Sequence, residues 1–228
     1  MISWQTEKGS ANGYLALPAS GHGPGVLVLH AWWGLTEFIE ALCDRFAAAG
    51  FVTLAPDLYG NGATAETIAE AEQLIQAENY EGIQTIVRSA AHFLTGHSAV
   101  QGNGIGVVGF SLGAPYALLA ATVLVPSEIN AVVLFYGSYP DIEQDDFAKS
   151  HAAFLGHFAE TDAYEEPEYA EQTLAKLQQA GHEATFYTYP GTGHWFFENN
   201  KPDAYDAEAA ELAWERTIAF LQAKSIIP

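Results

Sequence analysis

The sequence predicts an α/β fold, with a mostly parallel central sheet of about seven to eight strands and helices on both faces. Three observations predict it. Short apolar, β-branched runs alternate with longer amphipathic segments along the chain, the pattern of repeated strand–helix–strand units. The pentapeptide Gly109-Phe110-Ser111-Leu112-Gly113 stands between one such run and one such segment. No internal repeat or low-complexity linker divides the chain, so residues 1–228 read as one domain.

The elements follow in order. Residues 25–30 form a buried strand, and 36–49 a helix with Ile39, Leu42, Cys43 and Phe46 on one face and Gly50 as its stop. Residues 51–55 are the next strand, ended by Pro56-Asp57. Two acidic helices fill 64–78 and 80–95. A strand over 104–110 leads into a helix over 112–124, where Pro115 is tolerated in the first turn. Strands over 131–136, 152–158 and 184–189 and helices over 167–180 and 203–223 complete the pattern. The stretch from Tyr136 to Phe147 is too short for a lid domain, and its acidic part, Asp141 to Asp146, reads as a solvated loop.

Composition narrows the function. The formal net charge is −20, from 8 Lys and Arg against 28 Asp and Glu. Such a field repels polyanions, so nucleic acid and anionic membranes are poor partners. No run approaches the roughly 18 apolar residues of a membrane span, and the first residues do not resemble a signal peptide. The single cysteine, Cys43, permits no intrachain disulfide and sits on the apolar side of a helix. A reduced, cytoplasmic protein is expected, as a monomer or homodimer.

Gly109–Gly113 fits a tight strand-to-helix turn that raises a serine hydroxyl above the sheet. A hydroxyl needs a general base, and the base an orienting carboxylate. His194 follows strand 184–189 and Asp162 follows strand 152–158, so all three candidates lie at the carboxyl ends of parallel strands, where open α/β sheets bind ligands. Glu160 is near enough to compete with Asp162 as the acid. Two backbone amides are expected to stabilise an oxyanion: Leu112, after the nucleophile, and Trp32, in the turn after strand 25–30. His30 and His157 lack companions at metal-ligand spacing and read as satisfied histidines, and no metal or cofactor is expected.

With these residues in place, the chain resembles the dienelactone hydrolase family of α/β-hydrolases. The markers are His30-Ala-Trp-Trp-Gly34, Ala55-Pro-Asp-Leu-Tyr-Gly60, the Gly109–Gly113 turn, Gly156-His-Phe-Ala-Glu-Thr-Asp162 and Gly191-Thr-Gly-His-Trp-Phe196. The resemblance implies a lidless α/β-hydrolase with its triad on Ser111, Asp162 and His194. The family's best-known members carry cysteine at the elbow and glutamate after the first residue of the His30 turn. Here those positions are Ser111 and Ala31, a matched pair of changes that points to a serine esterase. Members acting on dienelactone hold its carboxylate with arginines, one of them shortly after the catalytic histidine, where Glu198 stands here. Trp32, Trp33, Tyr136, Tyr139, Trp195 and Phe196, with Glu198, are therefore expected to line a pocket for a small neutral or aromatic ester or lactone. The alternatives are carboxymethylenebutenolidase activity on an anionic lactone, a non-catalytic small-molecule binder on the same fold, or an acyl-enzyme resolved by acceptors other than water.

Overall fold

The structure, a computed structural model, describes residues 1–77 and 79–224. Eight strands form one sheet: β1 (Ile2–Thr6), β2 (Gly9–Ala16), β3 (Gly23–Leu29), β4 (Val52–Pro56), β5 (Val100–Phe110), β6 (Ile129–Phe135), β7 (Ala153–Ala159) and β8 (Ala184–Tyr189). Their order is β1-β2-β4-β3-β5-β6-β7-β8. β3 to β8 pair in parallel, and β1 and β2 add an antiparallel hairpin that joins the sheet through β4.

Side chains alternate across the sheet, and both faces are covered. Leu27, Leu29, Val132 and Leu134 belong to one apolar cluster. Val26, Val28, Val133 and Phe135 belong to the other. The first face is covered by α3 (Tyr80–Thr95), α4 (Gly113–Leu119) and α6 (Pro167–Gln179). α1 (Glu37–Ala48) and α7 (Ala207–Lys224) cover the second, where Ala71 of α2 (Ile68–Gln76) also packs. Cys43 is a fully buried member of that second cluster.

The hairpin β1–β2 departs from the sequence reading, which left those residues unassigned. Gly9, Asn12 and Gly13 give β2 little intrinsic strand preference; it is held by partners on both sides. Gly13 lies where a Cβ would come 2.5 Å from the Ala55 carbonyl oxygen, so the pairing itself demands glycine. The 112–124 helix is also altered: after Leu119 it widens into a π-helical turn over Ala120–Leu124. The acidic stretch Asp141–Asp146 exposes Asp141, Glu143 and Asp145 as expected, but it is not wholly a loop. It enters a short helix, α5 (Gln144–Phe147), buries Ile142 and Phe147, and is tied down by the Lys176 ammonium, which donates to the carbonyls of Pro140 and Ile142.

Caps explain two late helix starts. Thr67 accepts from the Glu70 amide while the Glu70 carboxylate accepts from the Thr67 amide, so α2 begins at Ile68 rather than at 64. The expected end of that helix at 78 lies outside the described residues. Asp206 accepts from the Ala209 amide at 2.9 Å, which starts α7 after the expected 203.

Two histidines are buried in this framework. His157, in β7, meets the Tyr189 hydroxyl through Nδ1 at 2.8 Å and the Thr217 hydroxyl through Nε2 at 3.0 Å. Arg216 donates to the same Tyr189 oxygen. Burial, with the Arg216 charge, lowers the His157 pKa to about 3. Burial likewise lowers His30 to about 4, against its hydrogen bond to the Ala31 carbonyl and the charge of Asp57. An unfolded histidine takes up a proton near pH 6.5. These imidazoles therefore favour the folded state above that pH, and their contribution is lost as pH falls toward about 4 and about 3. Urea midpoints should show that His157→Gln loses less stability than the wild type on going from about pH 6.5 to about pH 4. Parallel losses in the two proteins would exclude His157 as a source of the acid sensitivity.

Candidate active site

Ser111 follows β5 directly, with φ of +46°. Its amide donates to the Phe135 carbonyl at 2.9 Å, and its carbonyl accepts from the Ala114 amide at 2.9 Å. The flanking glycines have different reasons. A Cβ at Gly109 would lie 2.5 Å from the Gly113 carbonyl oxygen, and one at Gly113 would lie 2.2 Å from the Leu29 carbonyl oxygen. The first keeps the turn closed on itself. The second lets α4 begin against the end of β3.

The turn presents the serine to His194, which stands in the loop after β8. The Ser111 Oγ–His194 Nε2 distance is 2.9 Å, and His194 Nδ1 lies 2.8 Å from each Asp162 carboxylate oxygen. An ionised carboxylate only accepts, so Nδ1–H donates to Asp162 and Nε2 is free to accept from the serine. Asp162 Oδ1 accepts from the amides of Tyr164 and Glu165 at 2.8 and 3.0 Å, which fixes the carboxylate. The His194 and Asp162 side chains are each only 4% exposed. Glu160, the competing acid, instead accepts from the Gly191 amide at 2.9 Å and anchors the start of the histidine loop.

His30 orients one of the two candidate oxyanion amides. Leu58 N–H donates to His30 Nε2 at 3.0 Å, so the proton sits on Nδ1, which donates to the Ala31 carbonyl at 2.7 Å. The Gly34 amide reaches the same carbonyl at 3.2 Å. A trans peptide with its carbonyl held inward turns its N–H, that of Trp32, the opposite way. Tyr59 then fixes the next peptide by donating to the Trp32 carbonyl at 2.8 Å. Leu112, the other candidate, is the N-cap of α4.

A cavity of about 750 Å³ opens beside Asp162 and His194 and is lined by Trp33, Ile68, Tyr164, Trp195 and Lys201 among others. Trp32 packs edge-on to Trp33 and Tyr164, with Trp195 5.9 Å away. Five of the residues expected to line the pocket, Trp32 among them, are absent from its wall. Tyr136 and Phe196 are fully buried and Glu198 is 2% exposed. Tyr136, at φ +38°, turns its ring back against His194 and donates its hydroxyl to Glu198 at 2.9 Å. Phe196 fills the space between Tyr189 and Tyr136. Tyr139 is exposed, outside that wall. Glu198 thus does not set the charge of the cavity wall.

Three site residues escaped the sequence reading. Tyr164 lies 5.1 Å from the His194 ring, only two residues past Asp162. Lys201 holds its ammonium 3.2 Å above the Trp33 ring. Its pKa is lowered by burial, against the charges of Glu198 and Glu66. Glu165 takes a hydrogen bond from Ser138 and is pushed up to about 7 by burial, with Asp162 adding repulsion. Proximity to the Gly191–Phe196 motif was the one available signal for Lys201.

The sheet order is that of the α/β-hydrolase fold, and it brings this serine, histidine and aspartate together. The model of the dienelactone hydrolase family matches residues 11–225. The chain belongs to that family and is a carboxylic-ester hydrolase. It is 32% identical over 228 residues to Protein usf of Aquifex pyrophilus, covering 97% of each chain. It is 30% identical to the "Probable 2-oxo-3-(5-oxofuran-2-ylidene)propanoate lactonase" of a Bradyrhizobium species, covering 92% of this chain and 88% of that one. A dienelactone hydrolase-like promiscuous phosphotriesterase from metagenomic libraries shares the fold, with a TM-score of 0.88 at 20% identity over 98% of this chain and 96% of that one.

Gly113→Ala should destabilise the fold by about 3 kcal/mol, because the clash is with backbone that no side chain can relieve. Chemical denaturation checks this, and a loss under about 1 kcal/mol would show that β3 and α4 can part cheaply.

Proposed function

We propose that Ser111 is the nucleophile of a serine esterase or lactonase, His194 its general base and Asp162 the orienting acid. The hydrogen-bonded chain from Ser111 Oγ through His194 to Asp162 carries this reading. His194 Nε2 takes the hydroxyl proton as Oγ bonds to the substrate carbonyl carbon. The amides of Leu112 and Trp32 stabilise the resulting oxyanion. Collapse of the tetrahedral adduct breaks the ester C–O bond, and His194 returns its proton to the departing alkoxide. Water, deprotonated by His194, then attacks the acyl-enzyme; its collapse frees the acid and restores Ser111.

The Trp33, Tyr164 and Trp195 rings on the cavity wall support small neutral or aromatic esters and lactones as substrates. A second reading, an anionic lactone, draws support from the Lys201 ammonium on the same wall and from the lactonase name of the Bradyrhizobium relative. A monomer or homodimer of one domain, acting in the cytoplasm, completes the proposal; no helix among the described residues is long and apolar enough to cross a membrane.

With p-nitrophenyl acetate, Ser111→Ala should lower kcat by about 10⁴-fold or more, and a fluorophosphonate should label wild-type Ser111 alone. Equal turnover in mutant and wild type would overturn the assignment of Ser111, whereas no turnover above background and no labelling of the wild type would favour the non-catalytic binder. Asp162→Asn should lower kcat by about 10⁴-fold, whereas Glu160→Gln should cost under about ten-fold. In a panel of esters and lactones, neutral aromatic members should give the highest kcat/KM. A preference for anionic lactones that Lys201→Ala abolishes would establish the second reading.

A further inference from the structure

Tyr136 and Glu198 lie behind His194 and take no part in the proton transfers just described. Among the described residues, three non-glycine residues hold a left-handed backbone: Ser111, Tyr136 and Trp195. The first is the proposed nucleophile and the last follows His194. Backbone of this kind persists where its surroundings over-determine it, and it clusters at active sites. Tyr136 belongs to the same group by position. It directly follows β6, whose last residue, Phe135, accepts the Ser111 amide, and its own amide donates to the His157 carbonyl in β7 at 2.8 Å.

The left-handed turn brings the Tyr136 ring against the His194 imidazole, 4.8 Å between centroids and tilted by 59°. The Tyr136 hydroxyl donates to Glu198 Oε1 at 2.9 Å. Glu198 stands on the loop that carries His194, where its amide donates to the Trp195 carbonyl and its own carbonyl accepts from the Lys201 amide. That loop leaves β8, the outermost strand among the described residues, so none of the other described strands flanks it on that side. The hydroxyl–carboxylate bond joins it to the centre of the sheet. Tyr136 is fully buried and Glu198 is 2% exposed, which keeps water from competing for the bond.

We propose that Tyr136 and Glu198 form a positioning pair that holds the His194 imidazole in line with Ser111 and Asp162. The inference rests on the serine-hydrolase reading above. Tyr136 supplies the wall behind the ring, and Glu198 keeps that wall from swinging away. A carboxylate acceptor makes the bond charge-assisted, and protonation would weaken it. Burial pushes the Glu198 carboxyl up to about 7, against the Tyr136 hydrogen bond and the Lys201 charge. Tyr136, just past β6, faces both Glu198 and Asp162; Lys201 faces Glu198 from its own loop. Lowering pH through about 7 therefore loosens the wall.

The test compares wild type, Tyr136→Phe and Glu198→Gln on p-nitrophenyl acetate across the pH range. Tyr136→Phe keeps the ring and removes the bond; it should lower kcat about ten-fold with KM changed less than about two-fold. Glu198→Gln keeps an acceptor and removes the ionisation; the acid limb of kcat/KM should involve one proton fewer than in the wild type. A merely structural pair would lower Tm and leave both readouts alone. Wild-type kcat in folded Tyr136→Phe, or the wild-type acid limb retained in Glu198→Gln, overturns the proposal. If Tyr136→Phe fails to fold, the acid limb of Glu198→Gln decides alone. Failure of the underlying reading looks different: the wild type itself would neither turn over the ester nor be labelled at Ser111.

Discussion

The start of α4 rests against the end of β3 so closely that position 113 has no room for a side chain: its first carbon would meet the Leu29 carbonyl oxygen at 2.2 Å. The rest of the site depends on that contact. It sets the distance between the elbow, which carries Ser111 and the Leu112 amide, and the loop after β3, which carries the Trp32 amide. Two donors on separate elements can serve one oxygen only if those elements are held in fixed relation. β3 and β5 are paired neighbours in the sheet, so the relation is set by backbone pairing as well as by packing.

Buried polar groups complete the arrangement. Neutral His30 bridges the Leu58 amide and the Ala31 carbonyl and so orients the peptide that follows. Neutral His157 links β7 to α7 through Thr217 and meets Tyr189 at the end of β8. Each imidazole has both ring nitrogens occupied, which is how an interior tolerates such groups. Asp162, held by two amides and His194, stays in place for the same reason.

The acidity of the chain, −20 overall, takes a local form at the site. Glu165 and Glu198 are both driven up to about 7 by burial near the triad. Against them stands Lys201, whose ammonium lies over the Trp33 ring on the cavity wall. Glu198 in the place of an arginine suggested a pocket for neutral substrates. The wall itself mixes aromatic rings, carboxylates and one ammonium, and its preference depends on which of these a substrate meets.

The amino-acid sequence by itself determined the alternation of strands and helices, the elbow with its two glycines, and the order serine, acid, histidine along the chain. These are local or periodic properties, written in apolar spacing and in turn residues. Only the tertiary structure decided which carboxylate meets His194, because Asp162 and Glu160 differ by the direction the loop gives them. It decided that β2, poor in strand formers, is a strand at all, since partners on both sides supply what local preference lacks. It also decided that Tyr136, Phe196 and Glu198 lie behind the site while Lys201 lines the cavity. The side on which a ring or charge stands depends on backbone angles and long-range packing, such as the left-handed turn at Tyr136, and no spacing along the chain records that.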